Sequence, residues 1–262
     1  MNIIVCIKQV PGSTQVKINP DTGTLMRDSV EAIINPFDEY AIEEALRLRE
    51  SIGGKVQVIT MGPPQAESCL RGAIAMGADE GFLVSDKAFA GSDTWATSYT
   101  LANSIKKIGN YDLIICGKQA IDGDTAQVGP GVAELLDIPF VAWVRKVKEI
   151  TDSSLIVERM MEEGYDVIEI PTPGLITVVK EINIPRMASL RGKLKAKKAT
   201  FTTITANDIS VDKNRLGLTG SPTQVLRSFV PKKKSGGEKF TGEVPELVEK
   251  ISSAILDLNI IK

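Results

Sequence analysis

The stretch GKQAIDGDTAQVGPG, Gly117 to Gly131, holds the residue types that bind an anion through the backbone. It follows the apolar run LIIC, Leu113–Cys116, and opens a helical pattern. Open α/β sheets place ligands at such strand ends. Gly117, Gly123, Gly129 and Gly131 admit positive φ or close backbone approach. Asp124 and Thr125 are able to cap the following helix. The N–H groups at the start of that helix, aided by its dipole, suit a pyrophosphate. Thr125 and Gln127 add side-chain hydrogen bonds. The spacing is neither G-x-G-x-x-G nor G-x-x-x-x-G-K-[ST], which argues against P-loop NTPase chemistry. A glycine-rich connector with an ordinary helix cap is the alternative reading of the same residues.

Other strand ends converge on the same rim. They bring Cys6 to Gln9, Asn35-Pro36-Phe37-Asp38, and Thr60-Met61-Gly62. An adenosine needs a flat apolar wall and a few polar contacts. Cys6 and Met61 supply a wall, or pack in the core. Asn35 and Asp38 supply the polar contacts, or Asp38 caps a helix. A second chemistry lies in INIPRMASLRGKLKAKKA, Ile182 to Ala199. Arg186, Arg191, Lys193, Lys195, Lys197 and Lys198 stand there without an acid, and Leu190 and Leu194 sit four apart. The segment has no aromatic residue for base stacking, and the chain's pI is about 5.5. Docking to an acidic protein surface fits it better than nucleic acid does, unless it is simply a solvated helix face.

The 262 residues include no histidine. That excludes a Ser-His-Asp triad, a Cys-His pair and an H-E-x-x-H zinc site. Redox or group transfer here calls for a bound cofactor. Cys6, Cys69 and Cys116 form no C-x-x-C and read as reduced, mostly buried thiols of a reducing cytosol. No signal peptide or membrane span is visible, so the expectation is a soluble, cytoplasmic chain. The net charge of −2 conceals a division. Residues 1–179 carry 15 Lys+Arg against 25 Asp+Glu, and residues 180–262 carry 16 against 8.

Strand and helix signals alternate through the first 140 residues, as a doubly wound parallel sheet requires. Strands are expected at 2–7, 56–61, 81–84 and 113–116. Helices are expected over 35–51, 65–76 and 93–108, and from the Gly-rich loop to about Asp137. Val10–Asp28 reads as a loose hairpin. Val141–Ile150, Leu155–Met161, Tyr165–Ile170 and Leu175–Val179 read as successive antiparallel strands that extend the sheet. A loop plus helix is expected over 183–200. Residues 205–243 look like an extended arm, and Val244–Leu258 like an amphipathic helix. The division expected is 1–204 for the α/β domain and 205–262 for the arm and helix.

IIVCIKQVP, NPFDEYAIEEALRL, MGPPQAE with AMGAD, GKQAIDGDTAQVGP and IPRMASLRGKLKAKK, in this order, resemble the beta subunit of electron transfer flavoproteins. The resemblance covers the chain to about residue 200. It implies a Rossmann-like fold of the adenine nucleotide hydrolase kind and a C-terminal arm that embraces an alpha subunit. That alpha subunit carries an FAD and passes electrons to a dehydrogenase. In this chain the nucleotide site holds AMP or a second FAD. The family's site residues fall on Cys6, Asn35, Pro36, Phe37, Asp38 and Met61. They also fall on Gly117, Lys118, Gln119, Asp122, Gly123, Asp124, Thr125, Ala126, Gln127 and Val128. The family's recognition loop falls on Ile182 to Lys198, with Leu190 as anchor beside Arg186, Arg191 and Lys193.

Small residues at Gly123 and Ala126 resemble the electron-bifurcating group, which implies FAD rather than AMP. NADH then supplies the electrons. One goes to ferredoxin or flavodoxin, the other to an acyl-CoA dehydrogenase or a flavin-dependent lactate dehydrogenase. A non-bifurcating AMP-holding subunit is the alternative. A stand-alone ATP-binding stress-type domain is the alternative from another class, and the basic segment and terminal helix argue against it.

Overall fold

Asn2–Cys6, β1, is short, rich in β-branched residues and buried along its middle on both faces, which suits the centre of a parallel sheet. The structure is a computed structural model and describes residues 1–12, 32–151, 153–226 and 236–258. Gln9–Pro11 (β2) pairs antiparallel with Ala32–Ile34 (β3). The hairpin expected within Val10–Asp28 is therefore not what Gln9–Pro11 joins, and the rest of it lies outside the described residues. Pro36–Ile52 (α1) starts with Pro36 at its first position, where the missing N–H costs nothing, and stops at Gly53 with φ 78°. Lys55–Met61 (β4), Glu67–Met76 (α2) and Glu80–Val84 (β5) complete two further units. Thr94–Ile108 (α3) is capped by Asp93, which accepts from the N–H groups of Trp95 at 3.0 Å and Ala96 at 3.1 Å. It leads back to Leu113–Gly117 (β6), then the glycine-rich loop and Val128–Leu136 (α4).

Phe140–Ile150 (β7), Ser154–Met161 (β8) and Gly164–Pro171 (β9) form two antiparallel hairpins. Gly174–Val178 (β10) corrects the antiparallel reading of this region. It lies between β6 and β7, parallel to both. α4 thus joins β6 to a parallel strand two places away, and β7 belongs to a β-α unit after all. Leu190–Lys198 (α5) and Thr202–Ile204 (β11) follow, and β11 pairs with β5 at the opposite edge. The sheet order is β11-β5-β4-β1-β6-β10-β7-β8-β9, with only β8 running against the rest.

The strands divide their side chains between two cores. Ile3, Val5, Val56, Val58 and Ile115 meet α1 and α2, and Ala196 of α5 joins them. Ile4, Ile59, Ile114 and Cys116 meet α3 and α4. The chain forms two compact units, Met1–Arg227 and Ser228–Lys262. Ala206, Ile209 and Leu216 are buried in the first unit, so the stretch just after 204 is packed rather than extended. The second unit contains Val244–Asp257 (α6), which leaves Val248, Ile251 and Ile255 exposed on one face. Among the described residues no helix is long and apolar enough to cross a membrane.

Candidate functional site

The chain builds β4 and β5 on one side of β1, then returns through α3 to place β6 on the other. The carboxyl ends of β1 and β6 therefore flank a topological switch point, where open sheets bind ligands. Cys6 and Cys116 stand side by side there, in register on neighbouring strands. Both are free thiols. A hydrogen bond with Cys6, and burial, hold the Cys116 thiol well above its ordinary range. Burial pushes the Cys69 thiol up to about 11. Cys116 and Cys69 therefore resist ionisation and act as apolar filling.

Asn35 and Asp38 hold the floor of the crevice from behind. The Asn35 amide donates to Asp38 Oδ1 at 2.9 Å and to the Gln119 carbonyl at 2.8 Å. Its Oδ1 accepts from the Ile121 N–H at 3.1 Å. The Lys8 N–H donates to Asp38 Oδ2 at 2.7 Å. Asn35 is fully buried, with both ends of its amide engaged. Asp38 does not cap α1. It is the third residue of that helix, and the cap position belongs to Asn35, whose side chain makes no capping bond. Gly117 completes the junction, because a Cβ there would strike the Asp38 carboxylate and lie 2.7 Å from the Phe37 backbone carbon. Three strand ends and the start of α1 are thereby fastened together.

Burial pushes the Asp38 carboxyl from 3.8 up to about 7, against the donors from Asn35, Lys8 and Gly117. Below about pH 4 the group is neutral in the folded and unfolded chain alike. As pH rises toward 7 the unfolded chain releases the proton first, so folding loses stability, and above 7 the loss is complete. Between pH 5 and pH 8 the parent is expected to lose about 3 kcal/mol relative to Asp38→Asn. Urea unfolding of both at the two pH values measures it, and parallel pH dependences overturn it.

The loop rises from this floor. Lys8 Nζ reaches Asp122 at 2.6 Å, and the Gln119 amide donates to Asp124. The expected cap is therefore absent. Asp124 is turned back onto Gln119, and Gln127 occupies the cap position without a side-chain bond. Positive φ falls on Asp124 and Ala126, both at 55°, and on none of the four glycines. Gly129 and Gly131 serve close approach instead. A Cβ on them would lie 2.7 Å from the Thr177 methyl and 2.6 Å from Ser98 Oγ. Nothing lies within 4 Å of a Cβ built at Gly123. The N–H groups of Thr125, Ala126, Gln127, Val128 and Gly129 donate to no group among the described residues. Left-handed Ala126 followed by right-handed Gln127 turns successive N–H groups toward one point, a nest for an anion. Thr125 and Gln127 are exposed beside it, while Cys6 and Met61 are half-buried at neighbouring strand ends. A hollow of about 530 Å³ lined by Lys55, Asp79, Glu80 and Lys195 lies at the opposite rim, where β4 and β5 begin, and holds none of these groups.

The basic segment is a separate surface. Arg186 is not free for a partner. Its guanidinium bridges Glu43 at 2.8 Å and Glu50 at 2.5 Å, both on α1. The Asn183 amide donates to the Tyr40 carbonyl and to Glu44, each at 3.0 Å. Ser189 caps α5 by accepting from the Gly192 N–H at 3.0 Å. Gly192 lets α5 approach the Ala75 carbonyl of α2, and Arg71 donates to the Ala196 carbonyl at 2.6 Å. Ile184, Met187, Leu190 and Leu194 are left exposed on this anchored frame. Arg191 and Lys193 are exposed beside them and form no ion pair among the described residues.

Residues 22–209 match the family described as "Electron transfer flavoprotein domain". The chain belongs to the electron transfer flavoprotein family. Its curated relatives place it among the beta subunits. It is 55% identical to "Electron transfer flavoprotein subunit beta" of Thermoanaerobacterium thermosaccharolyticum over 252 residues, 96% of each chain. It is 50% identical to "Caffeyl-CoA reductase-Etf complex subunit CarD" of Acetobacterium woodii over 263 residues, the whole of both. It is 44% identical to "Acryloyl-CoA reductase electron transfer subunit gamma" of Anaerotignum propionicum over 269 residues, again the whole of both. Both the nest and the basic segment of this beta subunit lie inside the family match.

Three residues of this beta subunit join the site without a clear sequence signal. Lys8 was visible as a rim residue, but not its bond to Asp122, 114 positions away. Thr177 comes from β10, whose insertion sets its methyl group beside Gly129 at the start of α4, and Trp143 comes from β7, bonded to Thr177 and facing Lys118.

Proposed function

We propose that this chain is the beta subunit of an NADH-oxidising, electron-bifurcating flavoprotein of the cytoplasm. In this reading it holds FAD at the Gly117–Val128 loop and pairs with an alpha subunit that carries another. One electron of each pair leaves for a ferredoxin or flavodoxin. The other passes through the alpha-subunit FAD to an acyl-CoA dehydrogenase. A bound flavin supplies hydride acceptance and one-electron release.

The nest of undonated N–H groups at Thr125–Gly129, next to open space at Gly123, carries the reading. Its donors suit two linked phosphates, and no side chain at Gly123 closes the way beyond them. Cys6 and Met61 offer the apolar wall for adenine. Asn35, Pro36, Phe37, Asp38 and Lys8 hold the loop in place. Lys118, Gln119, Asp122 and Asp124 shape the loop itself. No histidine is needed for hydride acceptance by a flavin. The names of two relatives associate them with acyl-CoA reductases, which favours an acyl-CoA dehydrogenase over a lactate dehydrogenase as the high-potential partner.

Anaerobic purification of the heterodimer tests this directly. Two FAD per heterodimer, with no AMP released on denaturation, is expected. One FAD with one AMP overturns it and leaves a simple single-electron carrier.

A further inference from the structure

Trp143 is the least comfortable residue in the sheet. It has φ 59°, a left-handed conformation that glycine favours and a bulky side chain avoids. Such a residue is strained and persists only where its surroundings impose it. The imposition is visible. A bulge sets Ala142 and Trp143 together opposite Thr177, between the pairs Val141–Ile176 and Val144–Val178. The Trp143 N–H donates to Thr177 Oγ1 at 3.1 Å, which fixes its backbone. Trp143 is nevertheless 38% exposed. It is not strained in order to fill the core.

Its position explains the exposure. Thr177 pairs with Cys116 on β6, and its methyl group faces Gly129 at the start of α4. Lys118, the first residue of the loop after β6, places Nζ 5.1 Å from the centre of the indole ring. Across the rim the order is β4-β1-β6-β10-β7. Met61 and Cys6 stand at one end, the nest follows β6, and Trp143 stands at the other end. Three strand spacings separate β1 from β7, about 14 Å. A ligand with its adenine at the Cys6 end and its phosphates on the nest meets Trp143 next.

We propose that Trp143 is the stacking wall for the second, non-adenine ring of a bound dinucleotide, here the flavin ring, with Lys118 as its gate. This rests on the dinucleotide reading given above. The indole presents a flat polarisable surface, and stacking of this kind contributes beyond buried area. The ammonium of Lys118 now occupies that surface as a cation–π partner. A flat ring arriving there takes its place, and the displaced ammonium stays on the loop that carries the phosphates.

The test uses the heterodimer, stripped of nucleotide and titrated separately with FAD and with AMP. Trp143→Leu is expected to weaken FAD by about tenfold or more and to change AMP by less than twofold. Trp143→Phe, which keeps a flat ring, is expected to restore most of the FAD affinity. Thermal unfolding and size of each variant heterodimer verify that it is assembled. Equal weakening of FAD and AMP, or FAD affinity in Trp143→Leu within twofold of the parent, overturns the wall alone. A parent complex that binds AMP and refuses FAD at this site overturns the dinucleotide reading, and the wall with it.

Discussion

Leu190→Ala is expected to slow electron delivery to the proposed dehydrogenase partner by about 30- to 700-fold at sub-saturating concentrations, with flavin content unchanged. The range corresponds to an interface anchor worth about 2–4 kcal/mol. Leu190 is 77% exposed at the first position of α5, in line with exposed Met187 and Leu194. Arg191, Lys193, Lys197 and Lys198 of the same helix are exposed and basic. An apolar anchor inside a basic rim matches an apolar socket bordered by acids. Leu190 is also pre-positioned. Arg186 on Glu43 and Glu50, Asn183 on α1, and Arg71 on the end of α5 hold the segment against the body. Little ordering cost is left to offset the contact. Alanine suits an exposed helical position, so the fold is expected to stay intact. Steady-state transfer rates against dehydrogenase concentration, with flavin content measured in parallel, decide it. Unchanged transfer, or loss of FAD, shows that docking happens elsewhere.

Gly117→Ala is expected to lower stability by about 3 kcal/mol and to empty the Gly117–Val128 loop of the nucleotide proposed for it. The added methyl would lie 2.7 Å from the Phe37 backbone carbon and 2.8 Å from Phe37 Cβ, and would strike the Asp38 carboxylate. A backbone atom in the first turn of a helix cannot turn aside as a side-chain tip does. Either the start of α1 shifts, or β6 does. Each movement breaks bonds from Asn35 and Lys8 that tie the loop to β1. Overpacking of this kind costs about 1–3 kcal/mol, and the broken bonds add to it. For a chain of this size the melting temperature is expected to fall by about 6–12 °C. Gly123→Ala is the control, since its methyl meets nothing within 4 Å. A Gly117→Ala protein that melts within two degrees of the control and keeps its nucleotide contradicts the junction described above.

Much of the fold was legible because its strands and helices differ in period. Asn35–Ser51 repeats its apolar residues at helical spacing, and LIIC cannot be anything but buried. The place of β10 was not legible. Its five residues are buried throughout, whereas β9 buries only Ile170 fully. That contrast marks a strand covered on both faces, but adjacency between distant strands leaves no local trace. The Gly117–Gly131 loop was visible from its glycines, yet for a reason that half failed. Glycine was expected to supply left-handed φ or close approach, and here it gives only the second, as clearance against Phe37, Thr177 and Ser98. The left-handed positions went to Asp124, Ala126 and Trp143, where tertiary packing overrides local preference. Arg186 shows the same limit. Its acids lie 136 and 143 positions away, and a run of basic residues does not announce which of them is already spent.

The insertion of β10 also governs the order in which this chain is able to become itself. During synthesis β6 emerges near residue 117 and β7 near residue 150, but the strand that joins them does not exist until residue 178. Until then the edge of β6 and the inner edge of β7 carry unpaired backbone groups. Such edges recruit strands from other molecules. The two halves of the sheet stay separate, and the pairing that unites them closes a long loop before it gains contacts, which makes it slow. The nascent chain is therefore exposed to aggregation in the interval between residues 117 and 178, before β10 closes the sheet beside the Gly117–Val128 loop.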